Sequence, residues 1–113
     1  MTKGPLMRVT LTENKFSDVI GSPHLVFLHF WSDFCGPCKV QSRVLEQLEE
    51  KYDKSVVLVE INSLEQLDWI EAFGIQSTPT TLLFYKGSVI AKLIGVHSLS
   101  KIEQVINKAG VLQ

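Results

Sequence analysis

Residues 25–38 read Leu25-Val26-Phe27-Leu28-His29-Phe30-Trp31-Ser32-Asp33-Phe34-Cys35-Gly36-Pro37-Cys38. The first half, Leu25–Trp31, is a mostly apolar, aromatic-rich run of strand length, the pattern of a central strand buried on both faces. After Gly36 the period changes. Val40, Val44, Leu45, Leu48 and Tyr52 recur at three-to-four spacing, which predicts a helix over 36–52 with one buried stripe. Lys39, Arg43, Glu46, Gln47, Glu49 and Glu50 fill its other face as solvated charge. Two cysteines therefore stand at a junction between a buried strand and an amphipathic helix.

Downstream, Ser55–Ile61 is β-branched and reads as a second strand. Ser63 with Gln66 resembles a capping box for a helix carrying Leu64, Leu67, Ile70 and Phe73, stopped by Gly74. Thr80–Tyr85, a Lys86-Gly87 turn and Val89–Ile94 form a β-hairpin. Ser100 and Glu103 make a capping box for a last helix with Ile102, Val105, Ile106 and Ala109, closed by Gly110. Upstream, Met7–Leu11 reads as a short strand and Glu13–Ile20 as a short helix ended by Gly21 and Pro23. The alternation predicts an α/β fold: a mixed central sheet with helices on both faces and the hairpin as an antiparallel edge.

The chain has 113 residues, which fits a single domain over 1–113. At 45% hydrophobic and 20% charged it can build a core, and disordered or collagen-like classes are excluded. Eleven Lys and Arg against twelve Asp and Glu leave a net charge of −1, so nothing marks nucleic acid or an anionic membrane as a partner. The longest uncharged stretches, Val19–Ser32 and Ala72–Tyr85, fall short of the roughly 20 apolar residues that span a bilayer. Met1–Leu11 lacks the apolar block of a secretory signal. The expected address is the cytoplasm, where a cysteine pair is more often catalytic or metal-binding than structural.

Cys35-Gly36-Pro37-Cys38 opens the first helix. Free N–H groups and the helix dipole at an N-terminus favour negative charge, so Cys35 is stabilised as the nucleophilic thiolate. Two intervening residues bring the second sulfur within bonding distance across one turn. Pro37 is tolerated because its missing N–H has no intrahelical partner there. The competing readings are half of a zinc site, with His24, His29 and His97 as the available helpers, or inert core thiols.

The segment Trp31-Ser32-Asp33-Phe34-Cys35-Gly36-Pro37-Cys38-Lys39 resembles the active site of the thioredoxin family. Phe73-Gly74-Ile75, Thr78-Pro79-Thr80, the Lys86-Gly87 turn and Gly95 extend the similarity over roughly residues 6–110. The resemblance implies a thioredoxin-like fold and a protein dithiol-disulfide oxidoreductase acting as a reductant. Cys35 would attack and Cys38 resolve, with no bound cofactor beyond the redox-active Cys35–Cys38 disulfide. Pro79 would be cis, facing the cysteines and presenting the Thr78 backbone to an extended substrate segment. Trp31, Gly74, Ile75 and Gly95 would line or support that groove, with Gly36, Pro37, His29 and Phe34 supporting the site. The implied partners are disulfide-containing proteins and a thioredoxin reductase as electron donor, and the implied state is a monomer. The same dithiol can also run as an oxidant or isomerase, and a third reading is a binding subunit with incidental redox activity.

Two positions depart from the family pattern. Phe34 stands where the family usually has Trp, which keeps apolar surface and loses the indole N–H. His29 replaces the buried acidic residue of the central strand. It is either a satisfied core histidine or a neutral proton acceptor, and it leaves no negative charge beneath the thiolates. His24 and His97 read as exposed loop residues, and Trp69 as partial core packing.

Overall fold

The computed structural model describes residues 24–52, 55–65 and 67–111. The strand expected at Met7–Leu11, the helix expected at Glu13–Ile20, and Gln66 lie outside these residues. Strand β1 (Leu25–Trp31) runs parallel to β2 (Val56–Asn62) and antiparallel to β3 (Thr80–Tyr85), which pairs antiparallel with β4 (Ser88–Ile94). The sheet order is β2-β1-β3-β4. The parallel pair is connected through α1 (Gly36–Lys51), as a crossover between parallel strands requires. Helices α2 (Leu67–Ala72) and α3 (Leu99–Ala109) complete the described elements. Strand bounds agree with the sequence reading to within one residue.

Burial explains why Leu25–Trp31 is apolar without alternation. Leu25 and Phe27 face Leu45 and Leu48 of α1 and Ile102 and Ile106 of α3. Val26, Leu28 and Phe30 face the opposite way, into a second cluster with Ile75, Leu82, Phe84 and the α2 residues Trp69 and Ile70. Phe73 closes that cluster edge-on to Phe84, with ring centroids 5.9 Å apart. The sheet is thus mixed, with helices on both faces. The hairpin turn has Lys86 at φ 52° and Gly87 at φ 84°, the left-handed pair that a tight two-residue hairpin demands. Among the described residues no helix is long and apolar enough to cross a membrane.

Three local expectations need correction. The buried stripe of α1 is Cys38, Gln41, Leu45, Leu48 and Glu49, and Val40 is 52% exposed. The stripe is phased from Cys38, so Glu49 falls inside it and is not solvated. Helix α2 is shorter than its pattern suggested. Asn62 Oδ1 accepts the Leu64 N–H at 2.9 Å and the Asn62 carbonyl accepts the Glu65 N–H at 3.0 Å. That turn holds 62–65 out of the helix, and both Leu64 and Leu67, the first residue of α2, are exposed. Finally, α3 is capped by Ser98, whose Oγ accepts the Lys101 N–H at 3.1 Å, and not by Ser100. Glu103 instead accepts the Tyr52 hydroxyl at 2.6 Å and pairs with Lys51 Nζ at 2.7 Å, tying the end of α1 to α3. Gly110 closes α3 in the left-handed region, as its place in the sequence predicts.

Candidate active site

The cysteines sit where β1 hands over to α1. Cys35 is the N-cap residue, in extended conformation, and Pro37 lies in the first turn. The Cys38 N–H donates to Cys35 Sγ at 3.1 Å, so a helix-terminal donor points at the first sulfur. Cys35 and Cys38 form a disulfide with Cα atoms 5.2 Å apart. Cys35 retains 9% of its surface and Cys38 2%. Cys35 is the more accessible of the two, although in this bonded form less open than its position at the helix end suggested. Gly36 and Pro37 are exposed, and Phe34 stands fully in solvent beside them.

A second loop is tied to this corner. The Thr78–Pro79 bond is cis, and Ser32 Oγ is hydrogen-bonded to Thr78 Oγ1 at 3.2 Å. The Gly95 N–H donates to the Pro79 carbonyl at 2.9 Å. Gly95 holds φ 84°, a conformation a side chain would strain, while a Cβ there would meet nothing within 4 Å. Backbone conformation, not space, demands glycine. Next to it, Gln41 is buried on α1 and pairs with both backbone groups of His97: its Oε1 accepts the N–H at 2.6 Å and its Nε2 donates to the carbonyl at 3.1 Å. His97 is therefore half-buried and held, not a free loop residue, whereas His24 is exposed. Gly74 is anchored by Lys92 Nζ, which donates to its carbonyl at 3.1 Å. Ile75 is buried in the core cluster below α2, so it supports the loop and does not line a surface.

Beneath the first turns of α1 lies a polar layer. His29 is wholly buried, with Nδ1 at 3.0 and 3.1 Å from the two carboxylate oxygens of Glu60. Ser42 Oγ lies 3.3 Å from the same nitrogen and donates to Glu60 at 3.1–3.2 Å. The expectation of a site without negative charge is overturned: strand register sets Glu60 beside His29 and brings the carboxylate in from β2. Glu60, Ser42 and Cys38 also line a cleft of about 810 Å³ that Trp31, Ser32, Lys39 and Arg43 help to wall. Gly74, Ile75, Thr78, Pro79 and Gly95 do not line it. Sequence reading missed Gln41, Ser42 and Glu60. The signal for Glu60 was present, since it follows Val56 and Leu58 at period two on the inward face. Among the described residues no group of three or more His, Cys, Asp or Glu side chains is gathered to hold a metal.

The thioredoxin family model matches residues 7–108. The chain belongs to the thioredoxin family. A thioredoxin of Alicyclobacillus acidocaldarius is 34% identical over 105 residues, 93% of this chain and 98% of its own length. One from Porphyra purpurea is 33% identical over 91 residues, covering 80% of this chain and 85% of that protein. A thioredoxin variant from Halobacterium salinarum superposes with a TM-score of 0.80 at 25% identity, over 92% of this chain and 88% of the other. The thioredoxin of Malassezia sympodialis does so at 0.76 and 25% identity, over 96% and 94%. With a thioredoxin fold and a paired Cys35–Cys38, the protein is a dithiol-disulfide oxidoreductase, a protein-disulfide reductase.

Proposed function

We propose that this thioredoxin reduces disulfides in other proteins by an exchange in which Cys35 attacks and Cys38 resolves. The observation that carries the assignment is the asymmetry of the pair: Cys35 is the helix cap whose sulfur accepts the Cys38 N–H, and Cys38 is the more deeply buried. A donor aimed at Cys35 Sγ favours its thiolate, the attacking species. The Cys35 thiolate bonds to one substrate sulfur and releases the other as a thiolate. Cys38 then bonds to Cys35 Sγ, and the electron pair of the mixed disulfide leaves on the second substrate sulfur. The substrate gains two electrons and the protein is left with the Cys35–Cys38 disulfide.

An extended substrate segment lies along the backbone of Thr78 and Gly95, between the exposed ring of Phe34 and Trp31, with Pro79, Gly74 and Ile75 as support. The hydrogen bonds between Ser32 and Thr78 and from Gly95 to Pro79 favour this reading because they tie both loops together beside the cysteine corner. No cofactor is bound, and electrons come from a thioredoxin reductase. The protein works as a cytoplasmic monomer of one domain over 1–113, in electron transport and redox homeostasis. Alkylation of the reduced protein, mapped by mass spectrometry, should label Cys35 first. Cys38→Ser should trap mixed disulfides with insulin and Cys35→Ser none. Equal labelling, or trapping by Cys35→Ser, refutes the roles.

A further inference from the structure

Three register-paired positions of the sheet, Glu60 on β2, His29 on β1 and Thr81 on β3, form a polar row. All three are buried, and α1 covers this face through Leu45 and Leu48. A carboxylate only accepts, so the 3.0 Å contact to Glu60 puts the imidazole hydrogen on Nδ1 and leaves the lone pair on Nε2. His29 Nε2 is buried and has no hydrogen-bond partner among the described residues. An unpaired buried acceptor costs free energy, so a packing histidine gains nothing from this arrangement. A base does, because its lone pair stays free.

The helix above supplies the acid. Ser42, which touches both Nδ1 and Glu60, lies one turn after Cys38 on α1, and residues four apart are neighbours on a helix face. His29 therefore lies under the turn that carries the resolving thiol. Glu60 meets the cleft that Cys38 and Ser42 also line, which gives the far end of the pair a path to water. The charged side chains around that cleft are Lys39, Arg43 and Glu46 on α1, Asp33 before it and Glu65 after β2.

We propose that Glu60 is a positioning residue for the resolving step: it holds His29 in the tautomer whose Nε2 takes the proton of Cys38. The S–H bond of Cys38 breaks, its proton goes to Nε2, and its electron pair attacks Cys35 Sγ. The bond from Cys35 to the substrate sulfur breaks, and the departing thiolate takes its proton from the imidazolium or from water. Glu60 stabilises the imidazolium in between, as a carboxylate behind a histidine does in other proton-transfer pairs. This rests on Cys38 being the resolving thiol, which trapping by Cys38→Ser tests separately.

Two measurements decide it. Nitrogen-15 NMR of His29 in the reduced wild-type protein at neutral pH should show a protonated Nδ1 and an unprotonated Nε2; the opposite tautomer overturns the proposal. In single-turnover reduction of insulin from pH 6 to 9, Glu60→Gln should slow resolution tenfold or more, so that the mixed disulfide on Cys35 accumulates. Its pH profile should move toward that of a thiol without a base, and Glu60→Asp should recover part of the rate. If Cys38→Ser traps the mixed disulfide while Glu60→Gln resolves it at the wild-type rate and pH profile, the Cys35/Cys38 roles stand and the role of Glu60 is refuted.

Discussion

Gln41 offers a test by nearly a single atom. Its amide is buried on α1 and spans both backbone groups of His97, accepting at 2.6 Å and donating at 3.1 Å. Gln41→Glu keeps the acceptor and the size of the side chain but replaces the donating NH₂ by an oxygen that faces the His97 carbonyl. One hydrogen bond, worth about 1 kcal/mol net, is lost, and the carbonyl left without its donor costs about 1–3 kcal/mol more. A loss of roughly 2–4 kcal/mol at pH 7 is expected, from those two terms. The sign of the pH dependence follows from the same geometry. Burial against a carbonyl disfavours the charged carboxylate, so the introduced carboxyl holds its proton more tightly folded than unfolded. Protonated, it can donate to His97 again. Stability is therefore closest to wild type below about pH 4 and falls as pH rises, whereas wild-type Gln41 does not titrate. Urea unfolding of both proteins at pH 4, 5.5 and 7 measures the gap. A gap that stays constant across that range, or no gap at pH 7, refutes the claim that the Gln41 amide clamps this loop. Because the loop carries Gly95 against Pro79, insulin reduction should weaken along with stability.

The remaining predictions concern the frame around the site. Glu103 is held below its ordinary carboxyl value by the hydrogen bond from Lys51 and then by that from Tyr52. Its contribution is present above about pH 4.5 and disappears as pH falls through the lowered folded value. Glu103→Gln should lower the Tm slightly at pH 7, by an amount that shrinks as pH is taken down from 4.5 in a calorimetric series. Leu48 is fully buried between α1, the sheet and α3, and Leu48→Ala should cost about 2–5 kcal/mol by denaturant titration. His29→Asp would set two carboxylates on register-paired residues of β1 and β2. At about 5 Å and an effective dielectric near 20 their repulsion is roughly 3 kcal/mol. The variant should be destabilised at pH 7, and adding Glu60→Gln should return most of that loss; a double variant no more stable than the single one removes charge as the cause.

What could be read from the chain is what local chemistry dictates. Leu25–Trp31 needs no partner to declare itself a doubly buried strand, and Cys35 and Pro37 mark a helix start on their own. The two corrected caps show where such reading stops. Ser63 and Ser100 each satisfy a capping pattern, but a pattern specifies a hydroxyl and a spacing, not which serine the backbone leaves in extended conformation. Asn62 decided the first by bonding Leu64, and Ser98, at φ −70° and ψ 163°, decided the second. Glu103 was then free to meet Lys51 and Tyr52, a contact between α1 and α3 that no local window contains.

The polar layer was harder for a different reason. His29 was read alone, and alone it brings no negative charge to the site. Its partner is 31 positions away, joined to it only by the β1–β2 register. A slip of one residue would turn Glu60 to the opposite face and leave the imidazole without it. Yet Gln41 and Glu49 fall on the buried stripe of α1 once it is phased from Cys38, and Glu60 falls on the inward face of β2 at period two. Packing alone would have favoured Leu or Val at each, because a buried polar group costs free energy until it is paired. The polar residues that interrupt a buried stripe are thus the places to look for a site before a structure is in hand. In this protein two of the three bear on the cysteine corner: Glu60 lines a cleft with Cys38, and Gln41 holds the loop of Gly95 through His97.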